Sequence, residues 1–201
     1  GAKSSLKHEW TPICQKLSNN HNFYITILHF NLKLKKEMLD TVVNVMYQAI
    51  FQNHNNNHNT QKVIIMGKSI GGVIAQMYTQ MYPEDVLKLV LIAPVVNDRS
   101  VIQSLSIGKV PVMLLWTRDD TVVSYDKHVR KWKKAFNLIS SVDEDNGESE
   151  NSSVKKKKSS AVAAALVSPK HTPPFRLYTQ DSGGHRILDA YYEPILSFLQ
   201  S

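Results

Sequence analysis

At 201 residues the chain suits one domain with a sizeable core, and 42% hydrophobic with 20% charged residues is ordinary for a globular fold. A lone cysteine, Cys14, excludes an internal disulfide framework and fits a reducing, cytoplasmic compartment, and no apolar run approaches the roughly 20 residues of a membrane span. The net charge of +7 is scattered apart from Lys155–Lys158 and the stretch 127–134; neither run is interleaved with aromatics, so solvated surface is expected and nucleic acid is not.

In chain order, a loop-like GAKSS leads into a helix with Trp10, Ile13, Cys14 and Leu17 on one face. Phe23 to His29, β-branched and aromatic, reads as a strand. Glu37 to Gln52 is an amphipathic helix carrying Leu39, Val42, Val43, Met46, Ala49 and Ile50. The low-complexity tract 53–60, NHNNNHNT, is expected as a surface loop. Its His54 and His58 are spaced to hold a metal only on a helix, which asparagine disfavours, so no metal is expected there.

Val63 to Met66 then forms a buried strand, and a helix with Ile70, Val73, Ile74, Met77 and Met81 on its stripe follows at once. A second buried strand, Leu87 to Ala93, ends at Pro94, and a third spans Val110 to Trp116. The link Val95–Lys109 has room for one short helix but not for a lid domain. A helix from about Ser124 to Ile139 turns Val129, Trp132, Phe136 and Ile139 inward. About 142–172, acidic and then lysine-rich, reads as a disordered insertion. Phe175 to Thr179 is the last strand and Ile187 to Leu199 the last helix. Buried strands alternating with amphipathic helices predict an α/β fold with a mostly parallel sheet, whose working residues lie at the strands' C-terminal ends.

Chemistry-bearing residues occupy those ends. Between the first of these strands and its helix stands Gly67-Lys68-Ser69-Ile70-Gly71, a G-x-S-x-G turn in the strand–turn–helix setting of a nucleophile elbow. Side chains at Gly67 and Gly71 are expected to collide there. The Val110 strand runs into Asp119 and Asp120, and the Phe175 strand into Gly183-Gly184-His185. A nucleophilic serine needs a base and an acid to orient that base, and they follow in the order Ser, Asp, His.

MGKSIGG, LLWTRDDTVV and GGHRI, at 66–72, 114–123 and 183–187, resemble the α/β-hydrolase superfamily, specifically its small capless members. The resemblance covers the chain except 53–60 and about 142–172. It implies Ser69 as nucleophile, His185 as base and Asp120 as acid. Thr117 stands where the family carries a glycine, and Asp120 is preferred to Asp119, with Asp98 as fallback. The backbone N–H groups of Ile70 and Ala2 are the implied oxyanion donors. The reaction implied is hydrolysis of a small-molecule ester, thioester or amide without a cofactor or metal. An acyltransferase and a non-catalytic scaffold are the rival readings, and the oligomeric state is open. Lys68 either favours anionic substrates or faces solvent. Five strands, near 23, 63, 87, 110 and 175, are expected where the family usually has eight, so a longer protein with additional N-terminal strands is expected.

Overall fold

In a parallel sheet covered on both faces, the inner strands must be apolar on both sides, and the runs at 86–92 (Lys88 apart) and 112–116 meet that demand. A computed structural model of the protein describes residues 5–21, 23–28, 36–54, 62–96, 98–137 and 174–201. Its elements are α1 (Ser5–His21), α2 (Leu39–His54, entered by a 3₁₀ turn at Lys36–Met38), β1 (Val63–Lys68), α3 (Ile70–Met81), β2 (Val86–Ile92), α4 (Arg99–Ile107), β3 (Val112–Thr117), α5 (Tyr125–Ala135), β4 (Phe175–Gln180) and α6 (Tyr192–Gln200). The strands form one parallel sheet in the order β1-β2-β3-β4.

The two faces separate cleanly by residue parity. Leu89 and Leu91 of β2 and Val112, Leu114 and Trp116 of β3 pack with α2, α3, α4 and α5. Val90, Ile92, Met113 and Leu115 face the other way, onto Ile13 and Leu17 of α1 and Ile195 and Phe198 of α6. The sheet is thus the middle of three layers. Period-2 alternation assigns the core residues of β3 and of β2 from Leu89 onward to one helical layer each, while Val86, beside the register shift at Val63/Ile64, joins the α2–α5 side.

Four expectations change. The stretch 23–28 joins no ladder: Phe23 and Ile25 pack onto the α1/α6 side, while Tyr24 is 95% exposed. Its alternation is real, but among the described residues β1 pairs only with β2, so 23–28 has contacts on one side and no strand beside it. α3 buries Gly72, Ala75, Gln76, Tyr78 and Thr79 along with Val73 and Ile74, whereas Ile70 and Met81 at its two ends are about half exposed. α5 stops at Ala135 because Asn137 takes a left-handed conformation, φ 54°, which asparagine tolerates and which terminates a helix. α6 begins at Tyr192 rather than Ile187, since Leu188 is extended and a 3₁₀ turn intervenes. The expected insertion about 142–172, the greater part of the 53–60 loop, His29 and Ile139 lie outside the described residues.

Lys88 sits in the middle of a core strand. Its ammonium donates to the carbonyls of Phe198 (2.6 Å) and Leu199 (3.0 Å) at the C-terminal end of α6, and the Phe198 ring lies 5.3 Å from it. Burial, reinforced by Arg176, lowers its pKa. The helix dipole and two orphan carbonyls are what a buried cation needs.

Candidate active site

Because β1, β3 and β4 are parallel members of one sheet, the turns after them leave from the same edge. Ser69 follows β1 directly, with φ 53° and ψ −120°, a conformation that residues with a side chain seldom adopt. Three backbone hydrogen bonds hold it there: Ser69 N donates to Ile92 O at 3.0 Å, and Ser69 O accepts from Gly72 N at 3.0 Å and Val95 N at 3.4 Å. The strain is therefore imposed by the joint between β1, β2 and α3.

The glycines around it have unequal duties. A Cβ on Gly67 would lie 2.6 Å from Gly71 O and 2.8 Å from Ala75 Cβ, so strand and helix touch through that hydrogen. Gly72 is tight against Pro94, at 3.0 Å. Gly71, by contrast, faces open space, so the expected collision there does not occur. Ile70 is the first residue of α3, where a helix leaves its N–H groups without intrahelical acceptors. Ala2, the other expected donor, lies outside the described residues.

Asp120 and His185 are brought together. Asp120 is buried, and its Oδ2 is 2.7 Å from His185 Nδ1. Its Oδ1 accepts from Val122 N and Val123 N, both at 2.9 Å, while Trp116 Nε1 donates to Val123 O at 3.0 Å. The carboxylate is thus fixed by its own turn, and its free oxygen is left for the imidazole. Tyr191, buried below, has its phenol pKa pushed up by burial first and by the Asp120 charge second, which keeps it neutral. Among the described residues the Ser69 hydroxyl makes no hydrogen bond to His185.

The neighbouring acids have other work. Asp119 turns to the backbone of the histidine loop, accepting from Gly183 N at 3.1 Å and Gly184 N at 2.9 Å; these bonds hold its carboxyl below the usual range. Asp98 caps α4, accepting from Ser100 N at 2.8 Å. It also lines a cleft of about 230 Å³ with Leu39, Gln76 and Val101, to which Ser69, Asp120 and His185 do not contribute.

Lys68 does not face solvent. Its side chain is 7% exposed and paired at 2.5 Å with Glu9 of α1. No pattern in the sequence links positions 9 and 68; only the fold brings them together. Among the described residues no three His, Cys, Asp or Glu side chains converge as a metal site, and no helix is long and apolar enough to cross a membrane. His58 and the side chain of His54 lie outside the described residues.

Comparisons with known proteins bear on the fold. A family model described as serine aminopeptidase, S33, matches residues 37–108, the segment from α2 through the elbow to α4. No curated protein matches the sequence. An uncharacterized protein from Bacillus cereus superposes with a TM-score of 0.65 at 8% identity, over 95% of this chain and 53% of its own. SOBER1 from Arabidopsis thaliana gives 0.52 at 17% identity, over 83% of this chain and 65% of its own. A monoacylglycerol lipase from Paleococcus ferrophilus gives 0.52 at 9% identity, over 80% and 74%. The chain therefore spans less than two thirds of the first two structures it resembles. The chain has the α/β-hydrolase fold.

Proposed function

We propose that the protein is a serine hydrolase cleaving an ester, thioester or amide of a small molecule through an acyl-enzyme on Ser69. The observation that carries this reading is a strained serine, φ 53°, at the same sheet edge as an Asp120–His185 pair 2.7 Å apart. With Nδ1 committed to Asp120, Nε2 of His185 is the nitrogen free to take the Ser69 proton as Oγ attacks the acyl carbon. The same proton then goes to the leaving group as its bond to the acyl carbon breaks. Water, activated in turn by Nε2, adds to the acyl-enzyme and releases the acid. The tetrahedral oxyanion is received by the N–H of Ile70, a donor worth about 2.7–4 kcal/mol.

Hydroxyl–imidazole bonds of such sites often tighten only when substrate is present, so the unmade Ser69–His185 bond is compatible with this mechanism. It is also the observation that favours a second reading, a hydrolase-like binding protein. Covalent labelling with a fluorophosphonate, located by mass spectrometry, separates the two. A single adduct on Ser69, absent from Ser69→Ala, supports the hydrolase; no adduct on the chain supports the binding protein.

A further inference from the structure

The two consecutive aspartates after β3 are not redundant copies of one acid. Asp120 faces the imidazole; Asp119 faces the loop that carries it. Gly183 and Gly184 both have positive φ, 141° and 61°, and present successive N–H groups to one point. Successive amides in such conformations make a small anion-binding concavity. Here the anion is internal, the Asp119 carboxylate, with one oxygen on each N–H. Thr117, buried at the strand end, closes the arrangement from below: its Oγ1 donates to Gly184 O at 2.6 Å. A backbone bond, Arg118 N to Gln180 O at 2.8 Å, ties the same two segments one step earlier. Four hydrogen bonds thus join 117–119 to 180–184, and the next residue is His185.

We propose that Asp119, with Thr117, is a positioning residue for His185: it fixes the glycine pair so that the imidazole Nδ1 stays on Asp120. The inference rests on His185 acting as the base. Glycine at 183 and 184 gives the loop freedom that a histidine-bearing loop must lose before the ring can hold one orientation. A side chain at Gly183 would be strained by the φ of 141° and would have to displace the Leu188 side chain, 2.7 Å from the new Cβ. The loop needs a clamp, and the residue supplying it comes from the same turn as the acid. Acid and base are thereby registered to one strand end rather than to two independent loops.

The test uses the whole 201-residue chain and the variants Asp119→Asn, Asp119→Ala and Thr117→Val. Ile102→Val, a buried substitution in α4 outside the loop's hydrogen bonds, serves as a destabilised control. Two readouts are taken below the unfolding transition: the rate of fluorophosphonate labelling, and the downfield NMR signal of the His185 Nδ1 proton, assigned by its loss in Asp120→Asn. A misplacement of about 1 Å costs about a hundredfold in rate. Labelling is therefore expected to fall about tenfold in Asp119→Asn, which keeps one acceptor, and about a hundredfold in Asp119→Ala. The Nδ1 signal should broaden or disappear in the same order, and both readouts should be unchanged in Ile102→Val. Wild-type labelling rates and an intact Nδ1 signal in Asp119→Ala would overturn the proposal. If the wild-type chain is not labelled, the hydrolase reading fails, and the NMR readout alone decides whether Asp119 positions the ring.

Discussion

Replacing Gly67 by alanine tests whether the elbow is a steric joint. The new Cβ would sit 2.6 Å from Gly71 O and 2.8 Å from Ala75 Cβ, and the first of these is a backbone atom that no rotamer change can move. Strand and helix must separate, and overpacking of that kind costs about 1–3 kcal/mol. With one contact on backbone, about 2–3 kcal/mol is expected, a fall of roughly 4–12 °C in the thermal midpoint of a domain this size. Gly71→Ala meets nothing within 4 Å and gains helix propensity, so it should be neutral or stabilising by up to about 1 kcal/mol. Gly72→Ala, at 3.0 Å from Pro94 Cβ, falls between. Urea unfolding of the three variants, with Ser69 labelling alongside, measures the order. A Gly67→Ala variant within about 0.5 kcal/mol of wild type, or a Gly71→Ala variant equally damaged, would refute the steric account.

Asp120→Asn retains an oxygen for Val122 N and Val123 N but presents an amide to the imidazole; folding should survive while labelling of Ser69 falls about 10⁴-fold, as expected when such a carboxylate is lost. Lys68→Met strands Glu9, whose side chain is 20% exposed; partial hydration limits the loss to about 1–2 kcal/mol, and the double variant Lys68→Met/Glu9→Gln should recover most of it. Additive losses in that cycle would mean that the pair is not coupled. Asp119 has its carboxyl pKa depressed by the Gly184 and Gly183 amides. Its contribution to stability is therefore present above the unfolded value of about 3.9 and lost as pH falls through the folded value. The thermal-midpoint gap between wild type and Asp119→Asn should be open at pH 6 and narrow progressively as pH falls below about 4; a gap that does not narrow with acidification would contradict the assignment.

The features legible in the sequence are those set by local rules. Apolar runs announced β1, β2 (Lys88 apart) and β3, the mixed run FRLYTQ announced β4, and the residues at their C-terminal ends could be named from the parallel-sheet rule. What escaped was set by neighbours distant in sequence. The stretch 23–28 has a strand's alternation, yet a ladder requires an adjacent strand, and periodicity does not report whether one is there. Gly71 belongs to the G-x-S-x-G pattern, but which glycine meets the packing depends on the angle between β1 and α3. The spare acid, Asp119, looked like a weaker candidate for Asp120's place, because its partners are backbone amides 64 and 65 residues away. The partner of Lys68 lies on a helix 59 residues earlier. Helix ends failed where one residue's φ decided them, as at Asn137.

Lys88 carries a consequence for how the molecule opens. A lysine in a core strand is tolerable only while the two α6 carbonyls are in place, 110 and 111 residues along the chain. Detaching α6 would exchange both hydrogen bonds for water and uncover the apolar residues of the same sheet face, so the cost of partial opening is concentrated in that single step. The last helix and the middle of the sheet are thereby made to open as one unit. Amide hydrogens of α6 should exchange at rates that follow those of β2 instead of fraying independently from the chain end.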